Sequence, residues 1–373
     1  MLKKKLKKIK IAIFISDVGF GHMVRQRALI HKLLKFYPKV QITIYNNNNI
    51  EILKEIFRNK INYKKYFNNI EVFKTKKGFL NLHKTKQILK KWCLNCERIL
   101  NLKNQLKNYD LILSDFVPEA FFLAKELKIK SFGICHFTWS WFFEKIGVKN
   151  SSYLSNLKKL ELMSDKIFFP PYTPSQIFKS IPKTKIKKIN FIIEKQIKSR
   201  KENKKKIFLI MDNGTETLSK FISRSLKYLA SSKNFIFYIG ISSLDEKSKN
   251  YISNHANLIP ISGIKGIYNE IQKVDYVIAR AGFNTITECL LWKKPAIFLN
   301  EKYNPEIQEN IKNIYQEGLC AKMSSNDGGK KLLFRLNKFV KYESSIIQRK
   351  LNLKIFYGNG VDQIIKYIRR VIK

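Results

Sequence analysis

Apolar and polar positions divide the 373 residues into two rounds of one pattern. Short apolar runs alternate with stretches whose apolar positions recur every three or four residues. "KIAIFIS" reads as a strand buried on both faces, followed by a helix over about 24–36. "VQITIY", "YDLILSD" and "KSFGICHF" read as further strands, with amphipathic helices between them, and "DKIFFPPYTP" closes the unit with prolines. The pattern restarts after a basic stretch. There "KIFLIM", "FIFYIG", "NLIPIS", "DYVIA" and "PAIFL" read as strands, separated by helical segments such as "IYNEIQKV" and "TITECLLW". A helix over 307–317 ends at Gly318, a residue suited to a left-handed C-terminal cap. Strands apolar on both faces and alternating with helices predict parallel sheets covered on both sides. The predicted fold class is α/β, with two tandem doubly wound Rossmann-like domains facing across a cleft. The predicted boundaries are a first domain over 1–182, a basic linker over 183–206 and a second domain over 207–373. The last helix is expected to be able to pack back on the first domain.

In open parallel sheets, ligands bind beyond the carboxyl ends of the strands. Gly19, Gly21, His22, Asp115, His136, Asp212, Gly214, Thr215 and the stretch from Arg280 to Glu288 all fall at such ends. The loop Gly19-Phe20-Gly21-His22 carries part of the dinucleotide fingerprint. Val24 stands where the third glycine belongs, and the second strand ends in asparagines instead of an acid for a ribose, which disfavours a nicotinamide site. His22 sits near a helix start, where positive charge is unfavourable, and neutral imidazole is what a general base requires. A histidine that merely packs or caps the turn has the same spacing. In the second round, Gly282 precedes a helix expected to begin near Asn284 or Thr285, whose N–H groups suit a phosphate. Arg280 adds positive charge, and Glu288, one turn further, offers two acceptor oxygens to a ribose diol. Thr285-x-x-Glu288 is equally a capping box, which explains both residues without a ligand.

Lysine and arginine number 72 against 28 acidic residues, a formal charge of +44. Such a balance suits nucleic acid, an anionic membrane or an anionic substrate. The lysines are spread along the whole chain together with abundant isoleucine and asparagine, a bias that composition alone produces. No recognised nucleic-acid module is present, so a basic nucleic-acid-binding protein is the remote alternative and no nucleic acid is the expected partner. The basic N-terminus leads into only five apolar residues, Ile11 to Ile15, before Ser16 and Asp17. A secretory h-region needs roughly 7–15, and no run approaches the roughly 18 of a membrane span. Five scattered cysteines fit a reducing cytoplasm. Cys93 and Cys96 lie inside a helical pattern with no second ligand pair, so no metal site is expected. The aromatic run "FTWSWFFEKIG" has two readings. Trp139, Trp141, Phe142 and Phe143 either rest on an anionic membrane, at its inner face, or fill the core or an acceptor cleft.

The segment 275–318 resembles the donor-binding region of GT-B nucleotide-sugar glycosyltransferases, closest to family 28. The matching residues are Arg280, Gly282, Asn284, Thr285, Glu288, Pro295, Glu306, Asn310 and Gly318. "GFGHMVR" resembles that family's first loop, and "DLILSDFVPEA" and "SFGICHF" its later N-domain strands. The resemblance implies a cytoplasmic glycosyltransferase of hexosyltransferase type. It would move a sugar from a nucleotide diphosphate sugar, first of all a UDP-sugar, to a glycan or lipid-linked acceptor in cell-envelope or surface glycan synthesis, with no obligatory cofactor. It implies that His22 acts as the base or a diphosphate contact, with Gly19, Gly21, Arg25, Asp115 and His136 on the acceptor side. Donor contacts would come from Gly214, Thr215, Arg280, Gly282, Asn284, Thr285, Glu288, Glu306 and Gln308. Two positions depart from the family. Ile307 stands where a glutamine is usual, with Gln308 one place late, and a glycine pair is reduced to Gly214. Nucleotide-sugar hydrolases also carry a Gly-x-Gly-His-x-x-Arg loop like that from Gly19 to Arg25, and some epimerases share the architecture, so both remain alternatives.

Overall fold

A computed structural model describes residues 9–18, 21–67, 70–73, 75, 80–193, 205–211, 216–262, 270–301, 303–324, 326–356 and 358–372. The chain forms two compact units. One takes residues 1–73, 81–194 and 357–373; the other takes 74–80 and 195–356.

The first unit is built on a seven-stranded sheet. Its strands are β1 (Lys10–Ile15), β2 (Gln41–Asn46), β3 (Asn62–Lys65), β4 (Leu111–Asp115), β5 (Lys130–Ile134), β6 (Lys166–Phe169) and β7 (Ile186–Lys188). They are all parallel, in the order β3-β2-β1-β4-β5-β6-β7. The second unit holds β8 (Lys206–Ile210), β9 (Phe235–Gly240), β10 (Leu258–Ile261), β11 (Tyr276–Arg280), β12 (Ala296–Asn300) and β13 (Ala321–Ser324). They form a parallel sheet in the order β10-β9-β8-β11-β12-β13. Both sheets are doubly wound. The strand order reverses between β1 and β4 in one and between β8 and β11 in the other, and such reversals are where ligands bind.

The central strands follow the apolar pattern. Ile11, Ala12, Ile13 and Phe14 of β1, and Leu111, Ile112 and Leu113 of β4, are wholly buried. The boundary falls later than composition suggests, because β7 pairs with β6 inside the stretch expected to be a linker. The helix Gly360–Val371 belongs to the first unit. It buries Val361, Ile364, Ile365 and Ile368, and Tyr367 packs edge-on against Phe132 and Phe168. Gly360 is required there, since a Cβ would lie 2.2 Å from the Asn190 carbonyl oxygen. Cys93 and Cys96 are free thiols within and just after the Leu82–Asn95 helix, as expected of small apolar side chains. No three metal-ligating side chains cluster among the described residues.

Two buried glutamates clamp helices of the first unit. Glu161 accepts hydrogen bonds from the Ser140 N–H (3.0 Å) and Ser140 Oγ (2.5 Å). Glu119 accepts from Tyr66 Oη (3.0 Å) and Trp92 Nε1 (3.2 Å). Burial pushes each carboxyl from an ordinary 4.5 up to about 7, against the pull of these donors. A carboxyl raised by folding stabilises the fold fully below its unfolded value, and that stability is lost as pH rises toward the folded value. Between about pH 4.5 and 7 the loss is on the order of 3 kcal/mol for each group. Glu161→Gln, which keeps an acceptor for Ser140, is expected to remove about half of the fall in stability over this window. Denaturant melts at pH 5, 6, 7 and 8 check this; a wild-type slope in the variant would contradict it.

Candidate active site

The β1 and β4 strand ends carry the chemistry of the first unit. Their register pairs Ile15 with Asp115, and the Ser16 N–H donates to the Asp115 carbonyl at 3.0 Å. The following helix, Gly21–Phe36, starts earlier than its apolar pattern suggests, so His22 lies in its first turn. His22 Nδ1 is 2.8 Å from Asp115 Oδ1, with its side chain 12% exposed and Asp115 fully buried. An ionised carboxylate only accepts, so the bond to Asp115 needs a proton on Nδ1, and a neutral ring so held keeps the lone pair on Nε2; Arg25 Nη2 lies 3.1 Å from the same Nδ1. Arg25 Nε donates to Asp115 Oδ2 at 2.9 Å, and its second nitrogen bonds Oδ1. Gln26 Nε2 donates to Oδ2 at 2.7 Å. Burial alone would raise the Asp115 carboxyl; the Arg25 charge beside it and the hydrogen bonds from His22 and Arg25 outweigh this and hold it below the ordinary carboxylate range. His136 joins through Arg25, whose Nη1 lies 3.4 Å from His136 Nδ1.

Phe116, directly after β4, has φ of 63°, a costly conformation for an aromatic residue. Its carbonyl accepts from Trp139 Nε1 at 3.0 Å. Its ring meets His22 edge-on at 4.7 Å and also contacts His136, Phe137 and Trp139. Phe116 thus packs against the imidazole that Asp115 also contacts. Gln26 and Phe116 are absent from the sequence-based set. Their signal was position, beside Arg25 and beside Asp115. Gly21 is the first helical residue and is exposed, while Gly19 lies outside the described residues. The aromatic run is core: Trp139, Trp141, Phe142 and Phe143 are all at most 4% exposed, which removes them as membrane anchors.

In the second unit, β11 ends at Arg280, and the helix Phe283–Leu291 follows with Gly282 as its N-cap residue. The helix begins earlier than expected. Thr285 is therefore inside the first turn and is no N-cap, so the capping-box explanation of Thr285 and Glu288 fails. Gly282 has φ −66° and ψ 143°, a conformation open to any residue, and a Cβ there would meet nothing within 4 Å. Neither packing nor backbone geometry demands glycine. Asn284, Thr285 and Glu288 are half-buried on this helix.

Arg280 is not an isolated positive charge. Its Nε donates to Glu301 Oε1 at 2.6 Å, just past β12. Asn304 caps the helix Pro305–Gln316 by accepting from the Ile307 N–H at 3.3 Å. Asn310 Nδ2 donates to the Ala281 carbonyl at 3.0 Å and ties that helix to the Gly282 loop. Glu301 and Asn304 escape the sequence reading because they follow the strand "PAIFL" with no apolar period to mark them. Glu306 is half-buried in the first turn of this helix, Gln308 is exposed, and Ile307 is buried in the core. Gly214 and Thr215 lie outside the described residues.

Residues 213–364 match the glycosyltransferase family 28 C-terminal domain. Both doubly wound sheets also have counterparts in solved structures. The second unit carries a glycosyltransferase family 28 C-terminal domain, and the chain has the GT-B fold of glycosyltransferases. The glycotransferase of kitacinnamycin superposes with a TM-score of 0.68 at 13% identity, covering 98% of this chain and 99% of that one. Arabidopsis thaliana UGT89C1 complexed with UDP gives 0.68 at 10% identity, with 98% and 100% covered. MurG of Acinetobacter baumannii gives 0.59 at 14%, with 97% and 99% covered. No curated protein matches the sequence. The match to the family domain spans Gly282, Glu288 and Glu306, whereas His22 and Asp115 lie outside it.

Proposed function

We propose that this glycosyltransferase takes its sugar from a nucleotide diphosphate sugar, first of all a UDP-sugar, and passes it to an acceptor hydroxyl of a surface or envelope glycan or its lipid-linked precursor. The two units divide the work. The first carries the base. The acceptor oxygen bonds to the anomeric carbon as the bond from that carbon to the diphosphate oxygen breaks. The electron pair leaves with the diphosphate, and the acceptor proton passes to His22 Nε2. Asp115 fixes the imidazole's tautomer and faces the charge that develops on it. The second unit holds the donor. The first turn of the Phe283–Leu291 helix directs backbone N–H groups at the diphosphate, where negative charge grows during transfer. Glu288 takes the ribose hydroxyls, and Glu306 approaches the sugar. Arg280, held by Glu301, shapes the loop more than it neutralises the phosphate.

The observation that carries this reading is Gly282. A glycine that its own fold does not require, at a strand-order reversal and a helix start, leaves room for a ligand to approach the backbone. UGT89C1 has been solved with UDP bound, which supports UDP as the first nucleotide to try. Gly282→Ala is expected to change folding stability by less than about 1 kcal/mol and to weaken nucleotide binding by at least about tenfold, through loss of close phosphate contact. Calorimetric titration with UDP, GDP, CMP, dTDP and their sugar conjugates checks both the nucleotide and the loss. Unchanged affinity in the variant would remove the donor from this helix start.

A further inference from the structure

One long helical segment of the second unit has two apolar faces. It runs as Lys330–Lys338, passes through a π-helical turn, Phe339–Glu343, and ends as Ser344–Leu353. One face is core. Leu332, Leu336, Phe339, Ile347 and Leu351 are buried, and Phe339 packs edge-on against Tyr276. The other face carries Phe334 (74% exposed), Tyr342 (55%), Ile346 (47%) and Leu353 (77%), with Ile355 (62%) just beyond. Of twelve exposed large hydrophobic residues among those described, these five fall between positions 334 and 355, so they form a patch.

The π turn aligns that patch. An α-helix advances about 100° per residue, which would set Tyr342 about 80° away from Phe334. One extra residue in the π turn takes back about 100°, so Tyr342 returns to within about 20° of Phe334. On the same count Ile346 and Leu353 lie within about 20° of that line, while Lys330, Lys331, Lys338, Arg349 and Lys350 flank it at roughly 40–60° on both sides. Positions 330–354 hold eight lysines and arginines and one acid, Glu343. Arg335 neutralises that acid with two bonds of 2.7 Å.

We infer that this face docks on an anionic lipid surface. An apolar stripe edged by cations places its rings and aliphatic groups at the headgroup–acyl boundary and its lysines at anionic headgroups. A second copy of the chain would set one positive stripe against another, and lysine is depleted from protein–protein interfaces. The inference stands apart from the donor reading, because none of these residues belongs to the proposed donor or acceptor contacts.

The test is flotation of the full chain with vesicles of phosphatidylcholine, with and without phosphatidylglycerol. The wild-type protein is expected to float with the anionic vesicles only, and less so as salt rises. The double variant Phe334→Ser with Leu353→Ser keeps every charge and touches no buried residue. It is expected to lose about tenfold or more in partitioning, with an unchanged circular dichroism spectrum. Lys338→Glu with Arg349→Glu is expected to lose as much. Wild-type flotation by the serine variant would assign binding to bulk charge and overturn the proposal, as would failure of the wild-type protein to float.

Discussion

Replacing His22 with alanine is expected to lower turnover by about 100- to 10,000-fold, the usual contribution of a positioned general base. Donor affinity and melting temperature are expected to stay close to wild type. The side chain is partly exposed at the end of a helix, so its loss opens no core cavity. Its removal costs the route for the acceptor proton and leaves the second unit's helix start untouched. Steady-state kinetics at saturating donor, with acceptor varied, read this as a loss in kcat. A histidine that only packed the turn would instead shift stability and leave kcat within a few fold.

The second large effect concerns Asp115. Its carboxylate is fully buried and takes Arg25, Gln26 and His22 at once. Asp115→Ala leaves the buried Arg25 guanidinium without its counter-charge, which is expected to cost about 3–5 kcal/mol of stability. Activity falls too, since nothing then fixes the proton on Nδ1 of His22. The pair Asp115→Leu with Arg25→Met replaces both charges by apolar groups. It is expected to regain most of the lost stability and none of the activity. Denaturant titrations of both single variants and the double close a cycle. Additive effects would show that Arg25 and Asp115 are not coupled.

The pattern of apolar residues located nearly all of the central strands, because those strands are buried on both faces. It missed β3, β7 and β13 for one physical reason. "NYKK", "IKK" and "AKMS" are edge strands with exposed or lysine-bearing positions, and an edge needs little apolar surface. The expected helix "IYNEIQKV" is described from Glu270 on, and past that residue the chain makes a turn instead of a helix, while 267–269 lie outside the described residues. Helix starts were read late at His22 and at Gly282, since polar first turns carry no apolar period. That shift decided chemistry in the second unit, where it removed the capping box at Thr285. Distant pairs were not legible at all. Nothing in the spacing ties Asp115 to His22, 93 positions away, or Arg280 to Glu301; parallel strand register brings them together. The aromatic run from Phe137 could be read as membrane anchor or core, and burial decides for core. The apolar stripe from Phe334 to Leu353 was hidden because a one-residue π insertion breaks its helical period.

The proposed division of labour puts the base in one unit and the donor site in the other. Calorimetric titration of the nucleotide sugar that binds best, into wild-type protein, His22→Ala and Glu288→Ala, tests it most directly when paired with sugar-transfer assays of the same samples. The predicted result is wild-type donor affinity with little transfer for His22→Ala, and donor affinity weakened at least about tenfold for Glu288→Ala, the cost of losing charged hydrogen bonds to a ribose. Undiminished transfer by His22→Ala, or donor affinity that ignores Glu288, would contradict it.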